Sequence, residues 1–258
     1  MFAEERRQFI LEQLQKKRRV DVLGLAGKLD TSPETIRRDL NEMETDGILK
    51  RTHGGAIYLD DHTSRPLMPL HSRHEVNADG KADIARVAAG FVNDGDVIAI
   101  DNSTTTARII EYIPADIKLT IVTYSMKVIL DVIANPKRTW TCINLGGVVN
   151  PKNMSCHGTL TSSALKMFQP HKLFLSCAGI DSTGMMTEGN LLEAEIKREL
   201  LQSCRKSFLL ADGSKWGQVG PVNEGQAANL DYLITNADVA PEKLAILRGK
   251  KVRIIFDR

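Results

Sequence analysis

The sequence predicts an α/β chain with a small helical unit in front of it. Three observations carry this. From residue 80 to 258, short apolar runs alternate with helical periods, the pattern of a parallel sheet covered on both faces. Before residue 46, apolar residues recur at helical spacing over three short segments. Between the two, Tyr58 to Asp79 loses periodicity and carries Asp60-Asp61, Pro66 and Pro69, a linker composition. The expected organisation is a first domain over 1–57, a linker over 58–79 and a second domain over 80–258.

Composition narrows the function classes. With 258 residues and a 42% hydrophobic share, two modest domains can each bury a core. A net charge of +2 excludes a polycation, and residues 1–57 hold 11 Lys/Arg against 10 Asp/Glu. Any nucleic-acid face must therefore come from local arrangement. Cys142, Cys156, Cys177 and Cys204 show no CxxC spacing and read as buried free thiols in a reducing cytosol. No run approaches the roughly 20 apolar residues of a membrane span. The start, MFAEERRQFILEQL, reads as an amphipathic helix without a signal-peptide core, so a cytoplasmic location without a membrane partner is expected. His71 and His74 lie three apart beside Glu75, an incomplete ligand set; with His62 they read as solvated linker histidines, and no metal or cofactor is expected.

In the first domain, Phe2, Phe9, Ile10 and Leu14 mark the buried face of a helix that ends in Lys16-Lys17-Arg18-Arg19. Val20 is a lone extended residue able to pair with a later strand. Asp21 caps a second helix through Leu29, and Asp30-Thr31-Ser32 turns the chain. Ser32 caps a third helix, Pro33 to about Glu44, with Pro33 at its first position. Ile36, Leu40 and Met43 form its apolar stripe, leaving Thr35, Arg37, Arg38 and Asn41 outside. Gly47 stops it, Ile48 and Leu49 extend, and Lys50 to Gly55 make a basic hairpin tip. Helix, helix, turn, helix and two-stranded wing is a winged helix-turn-helix, suited to a major groove of double-stranded DNA. Thr35, Arg37 and Arg38 are the candidates for base edges or flanking phosphates, with Ser32 at the cap. Asn41, Arg51, Gly54 and Gly55 are the candidates for holding the backbone, and His53 in the wing for touching a minor groove or the backbone. Asp39 is expected to orient Arg38 or another basic neighbour.

In the second domain, strands are expected at Val97–Ile100, Leu119–Val122, Trp140–Leu145, Leu173–Ser176, Ser207–Leu210, Tyr232–Ile234 and Val252–Phe256, with helices between, among them Lys81–Phe91, Thr105–Tyr112 and Glu193–Cys204. Ligands in such folds sit at the carboxyl ends of strands. Those ends carry Asp101-Asn102-Ser103-Thr104-Thr105-Thr106 at a helix start, which suits a phosphate or simply a well-capped helix. They also carry Gly179 and Asp181, Glu188, and Lys215 with its ammonium.

The stretch Thr35 to Leu40, Gly47, and Arg51 to Ala56, with Arg6, Ile10 and Leu14 ahead of them, resembles the DeoR family of bacterial transcription regulators. The similarity runs on through Leu145-Gly146-Gly147 and Gly158. It implies repression of carbohydrate-catabolism genes, relieved by a phosphorylated sugar, by a homo-oligomer (dimer or tetramer). It also implies a second domain similar in fold to ribose-5-phosphate isomerase and glucosamine-6-phosphate deaminase. In that domain the loop 101–106 and Lys215 would hold the sugar phosphate. The chain departs from the family loop at Ser103, where a glycine is usual. An enzyme reading, an isomerase or deaminase using Asp181, Glu188 or Glu193 as base, leaves the first domain without purpose. An activator on the same scaffold is a third reading.

Overall fold

The computed structural model describes residues 3–17, 19–45, 49–58, 73, 76–135 and 139–257. The chain divides into two compact units, Met1–Met68 and Pro69–Arg258. Phe2, Arg18, Gly47, Ile48, His62, His71, His74 and Glu75 lie outside the described residues, so the helix stop and the linker histidines are expectations only.

The first unit runs α1 (Ala3–Lys17), β1 (Arg19–Asp21), α2 (Val22–Lys28), α3 (Pro33–Thr45), β2 (Leu49–Thr52) and β3 (Gly55–Tyr58). The strands form an antiparallel sheet in the order β1-β3-β2, with Val20 opposite Ala56. Asp21 caps α2, its carboxylate accepting from Gly24 N at 2.6 Å. Ser32 Oγ accepts from Thr35 N at 3.1 Å, the cap its position predicts. Ile10, Leu14, Leu25, Ile36, Leu40, Met43 and Leu49 close one core. Gly55 is fixed by close approach, since a Cβ there would lie 2.0 Å from the Val20 carbonyl oxygen. Gly54 has open space around it and no positive φ, so neither packing nor backbone conformation requires a glycine there.

The second unit runs α4 (Ala78–Ala89), β4 (Asp96–Ile100), α5 (Thr104–Ala107), α6 (Ile109–Tyr112), β5 (Leu119–Thr123), α7 (Met126–Ile133), β6 (Thr141–Asn144), β7 (Val148–Asn150), β8 (Ser155–His157), α8 (Thr159–Leu165), β9 (Lys172–Leu175), β10 (Gly179–Ile180), β11 (Met185–Glu188), α9 (Leu191–Ser203), β12 (Lys206–Leu210), β13 (Val222–Gln226), β14 (Tyr232–Thr235), α10 (Pro241–Leu244) and β15 (Arg253–Phe256). Seven strands form one parallel sheet, β15-β14-β12-β9-β4-β5-β6. Ile98, Ile100, Phe174 and Phe208 bury one face under α4 to α7; Ala99, Leu173, Leu175 and Leu209 bury the other under α8 and α9. Both faces are covered, which is why these strands read as continuous apolar runs.

The structure differs from the sequence pattern in three places. The helix predicted over Thr105–Tyr112 is two short helices, α5 and α6, that meet at Arg108. The linker is ordered at both ends, with Tyr58 in β3 and Ala78 and Asp79 in α4. A second sheet, β10-β11-β13, and the hairpin β7-β8 escape the sequence pattern. The reason is chemical: Glu188, Thr187 and Glu224 are buried on that second sheet beside Ile180 and Met186, so no apolar alternation marks it. Among the described residues, no helix is long and apolar enough to cross a membrane.

Candidate functional site

Strand order places the site. From β4 the chain winds outward through β5 to the edge strand β6; it then returns to β9, on the other side of β4, and winds outward again. The crevice beyond the carboxyl ends of β4 and β9 is thus the topological switch point, where such sheets bind ligands. Asp101 bridges it. Its Oδ2 accepts from Ser176 N, after β9, at 3.0 Å and lies 3.1 Å from Lys197 Nζ. Its Oδ1 accepts from Ser103 N at 3.0 Å and from the Thr106 hydroxyl.

This corrects two expected ligand contacts. Asp101 is fully buried and its carboxylate is saturated from inside, so it shapes the loop rather than facing a ligand. The Thr106 hydroxyl likewise turns inward. Ser103 caps α5, its Oγ accepting from Thr106 N at 3.3 Å. Its φ of −78° is ordinary extended backbone, so a side chain at the usual glycine position is accommodated and used. Asn102 Oδ1 accepts from the buried Tyr124 hydroxyl at 3.0 Å, which leaves Asn102 Nδ2 buried without a partner among the described residues. Thr104 and Thr105 stand buried beside it.

Asp181 and Gly179 each have a structural role in the β10-β11-β13 sheet. Asp181 sits in the β10–β11 turn, where its Oδ1 accepts from Thr183 N at 2.7 Å, Thr183 Oγ1 at 2.7 Å and Met185 N at 3.0 Å. These bonds hold its carboxyl below the usual range, against the upward push of burial. Gly179 is a packing glycine: a Cβ there would lie 2.2 Å from the Gln218 carbonyl oxygen.

The remaining groups form two lobes. In the acidic lobe, Lys197 Nζ donates to Ser176 O at 2.6 Å and pairs with Glu188 Oε1 and Asp101. Burial disfavours the Lys197 charge, but Glu188, Asp101 and Glu224 outweigh it and hold the ammonium firmly protonated. Glu224 is buried with both carboxyl oxygens unpartnered among the described residues, and burial pushes it up to about 8. Glu193 Oε1 accepts from Asn153 Nδ2 at 2.7 Å and Ser155 Oγ at 3.0 Å. In the basic lobe, Lys81 is pushed down to about 8, foremost by burial, then by Lys215, Arg108 and Arg73, with Asp212 opposing. Asp212 is held low by Lys215 against burial, and its Oδ2 is unpartnered among the described residues.

Sequence reasoning missed Arg73, Lys81, Lys197 and Glu224. A signal existed for the two lysines. Lys81 falls on the stripe of Ile84 and Ala88, and Lys197 on that of Glu193, Ile196 and Leu200. A lysine on an apolar stripe is buried, and a buried lysine needs a partner.

In the first unit, the winged helix-turn-helix exposes Arg37, Arg38 and Asn41 on α3 and His53 and Gly54 at the hairpin tip. Arg37 pairs with Glu34 at 2.5 Å. No hydrogen bond or ion pair holds Arg38 among the described residues. Thr35 Oγ1 lies 2.9 Å from Ser32 Oγ. Arg51 donates to Asn41 Oδ1 at 2.7 Å, Arg37 O at 3.0 Å and Gly55 O at 3.2 Å, tying the wing to α3. Asp39 does not meet Arg38; it is buried against Arg6.

Residues 6–62 match the DeoR-like helix-turn-helix domain and residues 76–237 the DeoR C terminal sensor domain. The chain belongs to the DeoR family. It is 32% identical to the uncharacterized HTH-type transcriptional regulator YulB of Bacillus subtilis, over 98% of this chain and 96% of that protein. The L-fucose operon activator of Escherichia coli is 32% identical, covering 90% and 94% of the two chains. The glycerol-3-phosphate regulon repressor of the same organism is 27% identical, covering 97% of each. Among solved structures, ribose 5-phosphate isomerase A from Methanocaldococcus jannaschii matches 54% of each chain at TM-score 0.39 and 16% identity. The fold of this DeoR-family regulator rests on its own strand order rather than on that distant likeness.

Proposed function

We propose that the chain is an operator-binding repressor of carbohydrate-catabolism genes whose DNA affinity is set by a phosphorylated sugar at the switch point. One observation carries the effector reading. Lys81 is a buried ammonium pushed down to about 8 by burial and by Lys215, Arg108 and Arg73, with Asp212 opposing them. A phosphate there supplies the missing anion. Asn102, Ser103, Thr104 and Thr105 line the loop beside it, and the unpartnered oxygens of Asp212 and Glu224, with Glu188, suit sugar hydroxyls. A symmetric oligomer, dimer or tetramer, would present two wings to half-sites about one helical turn apart, or a multiple of that.

A mobility-shift titration with triose, pentose and hexose phosphates tests this. One member should release operator DNA, and Lys215→Ala should weaken that response. No response from any member, with Lys215→Ala indistinguishable from the parent chain, overturns the effector reading. The pH dependence has a defined sign. The bound anion favours charged Lys81, so affinity is full below about pH 8 and falls as pH rises through it, by up to about tenfold per unit.

The DNA face has its own test. Arg37→Ala and Arg38→Ala should each cost about 1–3 kcal/mol of operator discrimination if they reach guanines. Arg51→Ala should lower the melting temperature of the first unit as well, since it unties the wing from α3. Unchanged footprints in the first two variants sink the recognition-helix assignment.

The activator reading is favoured by the name of the fucose-operon relative. A reporter fused to the target promoter decides: expression rises in a deletion strain for a repressor and falls for an activator.

A further inference from the structure

We propose that Arg73 is a ligand contact of the effector site and that, through it, the connector between the two units senses occupancy. This rests on reading that site as a phosphate pocket.

Arg73 lies just inside the second unit, which begins at Pro69. Its backbone carbonyl accepts from the Lys81 ammonium and, at 3.5 Å, from the Thr104 hydroxyl of the effector loop. Its guanidinium donates to Asn153 Oδ1 at 2.9 Å, and Asn153 in turn donates to Glu193. The connector's end is therefore stitched to three elements of the site.

The stitching is incomplete on the charged side. A guanidinium carries five N–H donors. Here Nε is buried with no partner, and no carboxylate lies within ion-pair distance among the described residues. Burial lowers the Arg73 pKa, while Glu193, Glu188 and Asp101 pull it back from further away. A buried cation without a direct counter-ion is costly unless something completes it. The planar fork of arginine fits a phosphate through two parallel hydrogen bonds.

Occupancy then alters two contacts on one residue. The Lys81 ammonium has three donors, so a phosphate shares it with the Arg73 carbonyl and draws it away from that carbonyl. The same phosphate recruits the Arg73 guanidinium. Backbone and side chain of the connector's end are reset together, which is the differential contact that effector control requires.

The experiment uses the full chain, with inorganic phosphate, glycerol 3-phosphate, fructose 1-phosphate and ribose 5-phosphate as probes. Calorimetry gives probe affinity, mobility shift gives operator release, and thermal melting reports folding. Arg73→Ala should weaken the tightest-binding probe by roughly ten- to a hundredfold and blunt operator release. Arg73→Lys, which keeps charge without the fork, should fall between. If Arg73→Ala does not fold, Arg73→Gln keeps the stem and a donor for Asn153, and the same loss is expected of it. A parent chain that binds no probe overturns the effector reading and this inference with it. A parent chain that binds, with variants that bind equally well and release DNA equally well, overturns the Arg73 role alone, even if their melting temperatures fall.

Discussion

Replacing Lys197 by methionine is expected to destabilise the second unit by about 3–5 kcal/mol, the range for stranding buried charge. Lys197 is 2% exposed, and methionine nearly matches its volume, so the loss is not a cavity effect. It removes the ammonium that Asp101, Glu188 and the Ser176 carbonyl share. Asp101 keeps its bonds from Ser103, Thr106 and Ser176; Glu188 keeps a bond from Gly189 N at 3.1 Å. Neither keeps a cation within ion-pair distance among the described residues. Among the described residues Glu224 lacks even a hydrogen bond, and its pKa, about 8 with Lys197 present, must climb when that opposing influence goes. At roughly 2–4 °C per kcal/mol for a unit of this size, the melting temperature should fall by about 10 °C. Glu188→Gln added to Lys197→Met should recover part of this by removing surplus charge, a coupling that a double-mutant cycle reads directly. A single variant that melts within 2 °C of the parent, roughly the shift from 1 kcal/mol, shows that the network does not need its cation.

What the sequence disclosed and what it hid follow from one distinction. Elements built on apolar periodicity were legible: α3 from Ile36, Leu40 and Met43, β4 from Val97 to Ile100, β9 from Leu173 to Leu175. The loop after β4 was legible because capping residues mark it. The polar interior was not. Glu188 and Glu224 sit inward on β11 and β13, where a pattern search expects valine or leucine, so that sheet stayed hidden. Lys81 and Lys197 fall on the apolar stripes of α4 and α9, which signals burial but names no partner. Arg73 lies in a stretch without periodicity, and only three-dimensional contact with Asn153 and Thr104 reveals it. Buried charge is meaningful only beside its partners, and those partners are distant in sequence: Arg73 and Asn153 are 80 residues apart.

The same distinction changes what Asp39 does. On a helix facing DNA, a carboxylate could tune an arginine at the surface, and its removal would then alter binding without altering stability. The structure gives the opposite expectation. Asp39 is 1% exposed and accepts from Arg6 Nε at 2.5 Å and Arg6 Nη2 at 3.1 Å, a two-pronged pair that pins α1 to α3. Arg7 Nε lies 3.6 Å away as a second cation. Hydrogen bonding to Asp39 raises the Arg6 pKa more than burial lowers it. Asp39→Ala takes the paired carboxylate from Arg6, itself 8% exposed, while Arg6 keeps its attraction to Glu42. The cost should therefore fall between a surface pair and a deep one, about 2–3 kcal/mol. In a domain of some 60 residues each kcal/mol shifts the melting temperature by about 4–8 °C, so a drop of at least 10 °C is expected. Asp39→Asn keeps an acceptor for Arg6 without the charge and should lose less. Operator affinity, measured well below the variant's melting temperature, should fall only in step with the folded fraction. An Asp39→Ala protein that melts like the parent but no longer discriminates operator would return Asp39 to the DNA face and undo the packing role.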